Sequence, residues 1–296
     1  MTVFGHVITL PALYAQLLIG LINGSFYALL SLGLAVIFGM LNIVNFAHGA
    51  FYMMGAFAAY FLLKLTGLNY WFALFLSPLI VGAIGAVVER LFLKRLAGVD
   101  PLYSLLLTFG LALIIQGLFQ NYFGASGLPY DVPKQLSGSL NVGFMILPVR
   151  RAWVIVASLV VCLATWLVIE KTKLGAYLRA ATENPTMVRA FGVNVPRMVT
   201  LTYGFGVALA AFAGVLAAPT TQVRPGMGAD IIAVVFAVVV IGGMGSIMGS
   251  IVTGFALGVV EGLTKVFYPE ASNTVVFVIM AIVLLVRPSG LFGRAH

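Results

Sequence analysis

Acidic side chains are scarce in this sequence, with eight Asp and Glu against sixteen Lys and Arg, and charged residues of both signs fill only 8% of its 296 positions. So little charge excludes a soluble globule, because a folded chain of this length needs more polar surface than that to face water on every side. The one cysteine, Cys162, excludes an internal disulfide, and its place inside an apolar run leaves it silent on redox compartment. His48 is the only histidine within an apolar run, and a lone histidine there is more often a hydrogen-bonded structural residue than a catalyst. No H-E-x-x-H, no Cys/His cluster, no G-x-x-x-x-G-K-[ST] and no strand-linked G-x-G-x-x-G occurs, which leaves no recognisable route to a metal or a nucleotide. Strict apolar–polar alternation is also missing, and that argues against a membrane barrel. The first residues carry neither a basic n-region nor a small-residue cleavage site, so the first apolar run is expected to stay as an anchor.

What the sequence has in excess is apolar length. At 62% hydrophobic and a mean hydropathy of +1.12, it contains runs at roughly 13–40, 47–63, 70–89, 102–123, 152–169, 199–218, 231–263 and 273–286. A run of about 18 or more such residues crosses a hydrocarbon core of roughly 30 Å as a helix. The expected fold is therefore an all-α polytopic integral membrane protein, a single domain over 1–296 with about eight to ten transmembrane or half-membrane helices. The bilayer is its main partner. The net charge of +8 does not argue for nucleic acid, because the cations sit in loops between spans. Loops 90–100, 171–198 and 287–296 hold Arg90, Lys94, Arg95, Lys171, Lys173, Arg179, Arg189, Arg197, Arg287 and Arg294, which places them and the C-terminus in the cytoplasm. Residues 1–12 lack Lys and Arg, so the side of the N-terminus stays open.

Run 231–263 is too long for one span and is interrupted by Gly242, Gly243, Gly245 and Ser246. Two half-helices joined at membrane depth and two short spans both fit, with Ser246 positioned to cap the second helix, and a Gly-rich packing turn is the alternative. A faint internal echo sets Asn45…Lys64 beside Ser246…Lys265, with Gly49 aligned to Ser250. Small residues at four-residue spacing, Gly254, Gly258 and Gly262 among them, let backbones approach closely, more readily inside one subunit than between subunits. Glu261 and Lys265 form an i,i+4 pair near a span end. Glu89 also lies near a span end, so the intramembrane carboxylates that a cation-coupled carrier uses are missing.

The loop 171–198 is too organised for a linker. Leu174–Thr182 has helical character, Asn184 and Pro185 restart a second short helix as cap and first residue, Gly192 stops it, and Pro196 opens the next span. Met187, Val188, Ala190 and Phe191 give that helix an apolar face. A docking element for a soluble partner is the sharper reading, and an interfacial helix pair with snorkelling arginines is the alternative.

Four stretches in order carry a resemblance: I-V-N-F-A-H-G-A-F-Y-M-M-G-A (43–56), G-A-Y-L-R-A-A-T-E-N-P-T-M-V-R-A-F-G-V-N-V (175–195), V-I-G-G-M-G-S-I-M-G-S (240–250) and R-P-S-G-L-F-G (287–293). Over essentially the whole chain the sequence resembles the Liv-type branched-chain amino acid ABC transporter permeases, and more closely the first permease of the pair. The resemblance implies a multi-pass permease of the bacterial inner membrane, not itself an enzyme. Its partners would be a second homologous permease in a heterodimer, two cytoplasmic ATPase subunits that hold the ATP and magnesium, and an extracytoplasmic solute-binding protein. No cofactor is expected on this chain. Arg179, Glu183, Asn184, Pro185, Met187, Arg189, Phe191 and Gly192 would make the ATPase contact, and Asn45, His48, Gly242, Gly243, Gly245 and Ser246 would belong to the membrane-embedded pathway. The family also includes permeases for urea and short amides, so the solute stays open, and a stand-alone channel or secondary transporter is the alternative of a different class.

Overall fold

The computed structural model describes residues 2–3, 6–7, 9–96 and 98–293, so Arg294 lies outside the described residues. Eleven α-helices are present among them: α1 (Leu10–Leu41), α2 (His48–Thr66), α3 (Tyr70–Leu91), α4 (Pro101–Phe123), α5 (Val149–Lys171), α6 (Lys173–Glu183), α7 (Pro185–Ala190), α8 (Val195–Ala217), α9 (Met227–Gly242), α10 (Ile247–Phe267) and α11 (Val275–Val286). Seven of these are long and apolar enough to cross a membrane, while α9 and α11 are shorter apolar helices. Most helix starts follow from local chemistry. Asn69, Asp100, Asn184, Asn194 and Ser246 each accept a first-turn amide through the side chain, and Pro101, Pro185 and Pro196 occupy first-turn positions where the missing N–H is not needed.

The expected first run is one unbroken helix. With 32 residues, α1 is about 48 Å long and exceeds a hydrocarbon core of roughly 30 Å, so it tilts or projects. Tyr14 near its start meets Phe144 at 5.6 Å between ring centroids. Phe144 belongs to the loop between α4 and α5, which also carries two short antiparallel strands, Ser139–Asn141 and Ile146–Pro148. The start of α1 is thereby at the end of the bundle opposite the basic loops, which answers a point the sequence leaves open.

The small-residue stripe of α10 packs within the chain. A Cβ added at Gly258 would lie 2.3 Å from the Cα of Gly24, and one at Gly254 would lie 2.5 Å from the Cα of Ala28, so α1 and α10 touch backbone to backbone. Ser31 reinforces the seam by donating to the Ser250 carbonyl at 3.1 Å. α8 is the central helix: a Cβ at Gly55 of α2 would meet the Ala211 carbonyl at 2.2 Å, and one at Gly82 of α3 would meet the Gly204 carbonyl at 2.9 Å. By contrast α4 is the least covered spanning helix, with 11% of its apolar window buried.

Run 231–263 resolves into α9 and α10, joined by a turn in which Gly243 and Gly245 adopt φ of +97° and +84°. Ser246 Oγ accepts the Gly249 amide at 3.1 Å, as a cap should. The turn packs against Gly39 near the end of α1, and the tail closes over it: Leu291 N–H donates to Ile241 O at 2.8 Å and Phe292 N–H to Gly242 O at 3.2 Å. Gly242 and Gly243 are thus buried in a turn at the basic end of the bundle, while Met244 is exposed and Gly245 and Ser246 are half-buried.

Candidate functional site

Two regions hold the sequence-derived candidates. At the basic end, α5, α6, α7 and α8 form a compact elbow. Gly175 sits against the last turn of α5, where an added Cβ would collide with the Ile169 carbonyl. Arg179 spans the bend: its Nη1 donates to Ile169 O at 3.0 Å and lies 3.5 Å from Glu170 Oε2. A guanidinium over the terminal carbonyls of a helix is electrostatically favourable, so Arg179 braces the elbow internally. Asn184 Oδ1 accepts the Met187 amide at 3.0 Å, Pro185 begins α7, and Gly192 ends it with φ of +83°.

The apolar residues of α7 divide between two faces. Val188 is buried with Ala181 of α6 and Val195 of α8, with Val193, Met198 and Val199 packed around them. Phe191 is 82% exposed and Met187 58%. Glu183, Arg189 and Gly192 are exposed too. Val188 therefore anchors the elbow to the bundle, and the outward face consists of Met187 and Phe191. Leu174 and Tyr177 of α6 add exposed apolar surface to the same elbow, which the sequence reading did not single out.

The second region lies inside the bundle. From Leu41 the chain turns back at Asn42, whose φ is +52°, and runs without helix to His48. There α2 starts alongside the last third of α1. His48 is fully buried and its Nε2 donates to the Leu30 carbonyl at 3.0 Å; a carbonyl can only accept, so Nδ1 is left as an acceptor. That Nδ1, both amide atoms of the buried Asn45 and the hydroxyl of the buried Tyr203 have no hydrogen-bond partner among the described residues. Tyr203 faces Asn45 without the two meeting hydrogen-bond geometry. Asn45 does not cap α2, which starts with no side-chain cap, so the echo with Ser246 fails at the capping position.

α9 brings a second interrupted helix to the same place. A Cβ at Gly49 would lie 2.5 Å from Gly228 O, and one at Gly228 would lie 2.1 Å from Gly49 O. The N-termini of α2 and α9 thus meet inside the bundle, and Phe46 stacks on Phe236 at 5.8 Å. Beside the crossing is a cavity of about 190 Å³, walled mainly by Met53, Phe109, Leu113 and Ile232, with Gly49, Ala50, Gly228 and Ala229 on its rim and Gln116 as a polar side chain. The backbone amides of those four rim residues donate no hydrogen bond among the described residues. Of the pathway candidates, the structure brings Asn45 and His48 to this region. Ser246 and Gly242, Gly243 and Gly245 lie instead at the turn near Gly39, and Gly228, which the sequence reading did not select, meets the start of α2.

Seven membrane-length helices, α8 central among them, with the N-termini of α2 and the shorter α9 meeting inside the bundle, are the frame of a polytopic membrane protein, and similarity to known proteins places it among transport subunits. Residues 16–286 match the family described as "Branched-chain amino acid transport system / permease component", and the chain belongs to that family. It is 31% identical over 301 aligned positions to the high-affinity branched-chain amino acid transport system permease protein BraD of Pseudomonas aeruginosa, covering 96% of this chain and 98% of the relative. LivH of Salmonella typhimurium, with the same description, is 30% identical, covering 94% and 95%. LivM of Escherichia coli, also a permease protein of such a system, is 30% identical, covering 90% of this chain and 67% of the relative.

Proposed function

We propose that this chain is one of two homologous permease subunits of an ATP-binding-cassette importer that moves branched-chain amino acids across the bacterial inner membrane. A second permease related to LivM completes the membrane pathway, a solute-binding protein delivers the substrate from outside, and two cytoplasmic ATPase subunits bind ATP and magnesium. The family match over 16–286 carries this reading. The elbow supports it: α7 presents Met187 and Phe191 outward while Val188 ties it to α8, the helix packed against α2 and α3. A push on α7 by an ATPase cleft would move α8, and α8 would move the crossing of α2 and α9. The basic loops and C-terminus are cytoplasmic in this arrangement.

The cavity at that crossing suits the solute. Its walls match an aliphatic side chain, and the free amides of Gly49, Ala50, Gly228 and Ala229 face it with the positive ends of two helix dipoles, the arrangement broken membrane helices use to hold a carboxylate. The test is substitution at the wall: Ile232→Trp fills the cavity and should abolish leucine uptake while leaving assembly with the ATPase intact. Unchanged uptake would remove the cavity from the pathway.

A further inference from the structure

A cleft of about 660 Å³ lies away from the α2–α9 crossing, at the basic end between the close of α3 and the opening of α8, where α8 leaves the elbow. Three cations converge on it: Arg90 from the last turn of α3, Lys94 from the short turn after it and Arg197 from the first turn of α8. None of the three takes part in an ion pair among the described residues. No carboxylate is among the described residues lining the cleft, and the neighbouring Glu89 is buried, its Oε2 accepting the Thr200 hydroxyl at 2.6 Å, so three cations against one carboxylate leave a net positive charge. Thr200 and Leu201 also line the cavity, and the first turn of α8, capped by Asn194, turns its positive dipole end toward it.

Below the cations the surface becomes apolar in register. Arg197, Leu201 and Phe205 follow one another at four-residue spacing on α8, and Leu201 and Phe205 are 71% and 42% exposed. On α3, Arg90, Val87 and Ile84 follow at three-residue spacing, and Val87 and Ile84 are exposed as well. From the helix start to Phe205 is about 15 Å along α8, the depth of one leaflet. We propose that this cleft is a binding site for an anionic phospholipid, its phosphate held by Arg90, Lys94 and Arg197 and an acyl chain lying along the two apolar rows. Charge complementarity selects the headgroup. The rows beneath it select a lipid over a free anion or an acidic protein segment, because they run along membrane-spanning helices where hydrocarbon is the surrounding medium.

The test is native mass spectrometry of the full-length chain in mild detergent, titrated with phosphatidylglycerol or with phosphatidylcholine of the same acyl chains. The site predicts saturable binding of phosphatidylglycerol and not of phosphatidylcholine. Each of Arg90→Gln and Arg197→Gln should weaken it about fivefold, and Lys134→Gln in the loop at the opposite end should leave it unchanged. If an arginine variant does not insert, Lys94→Gln, at an exposed side chain, carries the same expectation. Equal binding of the two lipids, or no loss in any of the three variants, would overturn the proposal. Full displacement of phosphatidylglycerol by inorganic phosphate would make this a free-anion site and overturn it too. So would weakened co-purification of the ATPase in variants whose lipid binding is intact, which would give the cations to a protein partner.

Discussion

Arg179 and Phe191 belong to one basic segment, yet the structure places them differently. Arg179 is occupied inside the chain, bracing α6 against the last carbonyls of α5, so Arg179→Gln should loosen the elbow before any partner is present. Limited proteolysis of the detergent-purified permease should show faster cleavage between residues 171 and 185. Phe191, 82% exposed, contributes nothing to the folded chain's own packing. Phe191→Ala should therefore leave thermal stability unchanged and weaken co-purification of the ATPase by a factor corresponding to roughly 2 kcal/mol, the usual cost of losing an aromatic anchor. A fall in the stability of the isolated permease would show that the ring packs within the chain and would remove its docking role.

At the scale of elements, the contact between α1 and α10 depends on the absence of side chains. Because a Cβ at Gly258 would lie 2.3 Å from the Cα of Gly24, Gly258→Val must push two long helices apart, and overpacking of this kind costs about 1–3 kcal/mol. The variant should show a lowered melting temperature and reduced yield, whereas Gly110→Val on α4, with open space around it, should show neither. At Gly192 the constraint is different. Nothing crowds the position, but φ of +83° disfavours any Cβ by about 1–2 kcal/mol, so Gly192→Val should re-aim α7 against α8 and lower substrate-stimulated ATP hydrolysis while insertion stays normal.

Helix starts were legible in the sequence because capping is local: Asn184 with Pro185, and Ser246 ahead of Gly249, carry their chemistry within four residues. The division of labour on α7 was not legible, since a six-residue helix with apolar side chains on both faces has no periodicity from which to choose between Val188 and Phe191. The meeting of Gly49 with Gly228 was hidden for another reason. It depends on how α2 and α9 cross, and the spacing that pairs Asn45 with Ser246 pointed to the wrong second helix. The clamp by Arg179 needed the bend at Thr172, which only the packing of Gly175 on Ile169 reveals.

On the proposed function, the whole molecule would be a passive membrane pathway whose motion is supplied from outside the chain. The elbow would receive the push, α8 would carry it, and the crossing of α2 and α9 would respond. Such a subunit should transport nothing by itself. The most direct measurement is leucine uptake into proteoliposomes holding this chain with its partner permease, in the presence and absence of the ATPase subunits, ATP and the solute-binding protein. Uptake is expected only when every component is supplied, and its loss when any one is withheld. Leucine accumulation by this chain alone, without ATP or partners, would contradict that expectation.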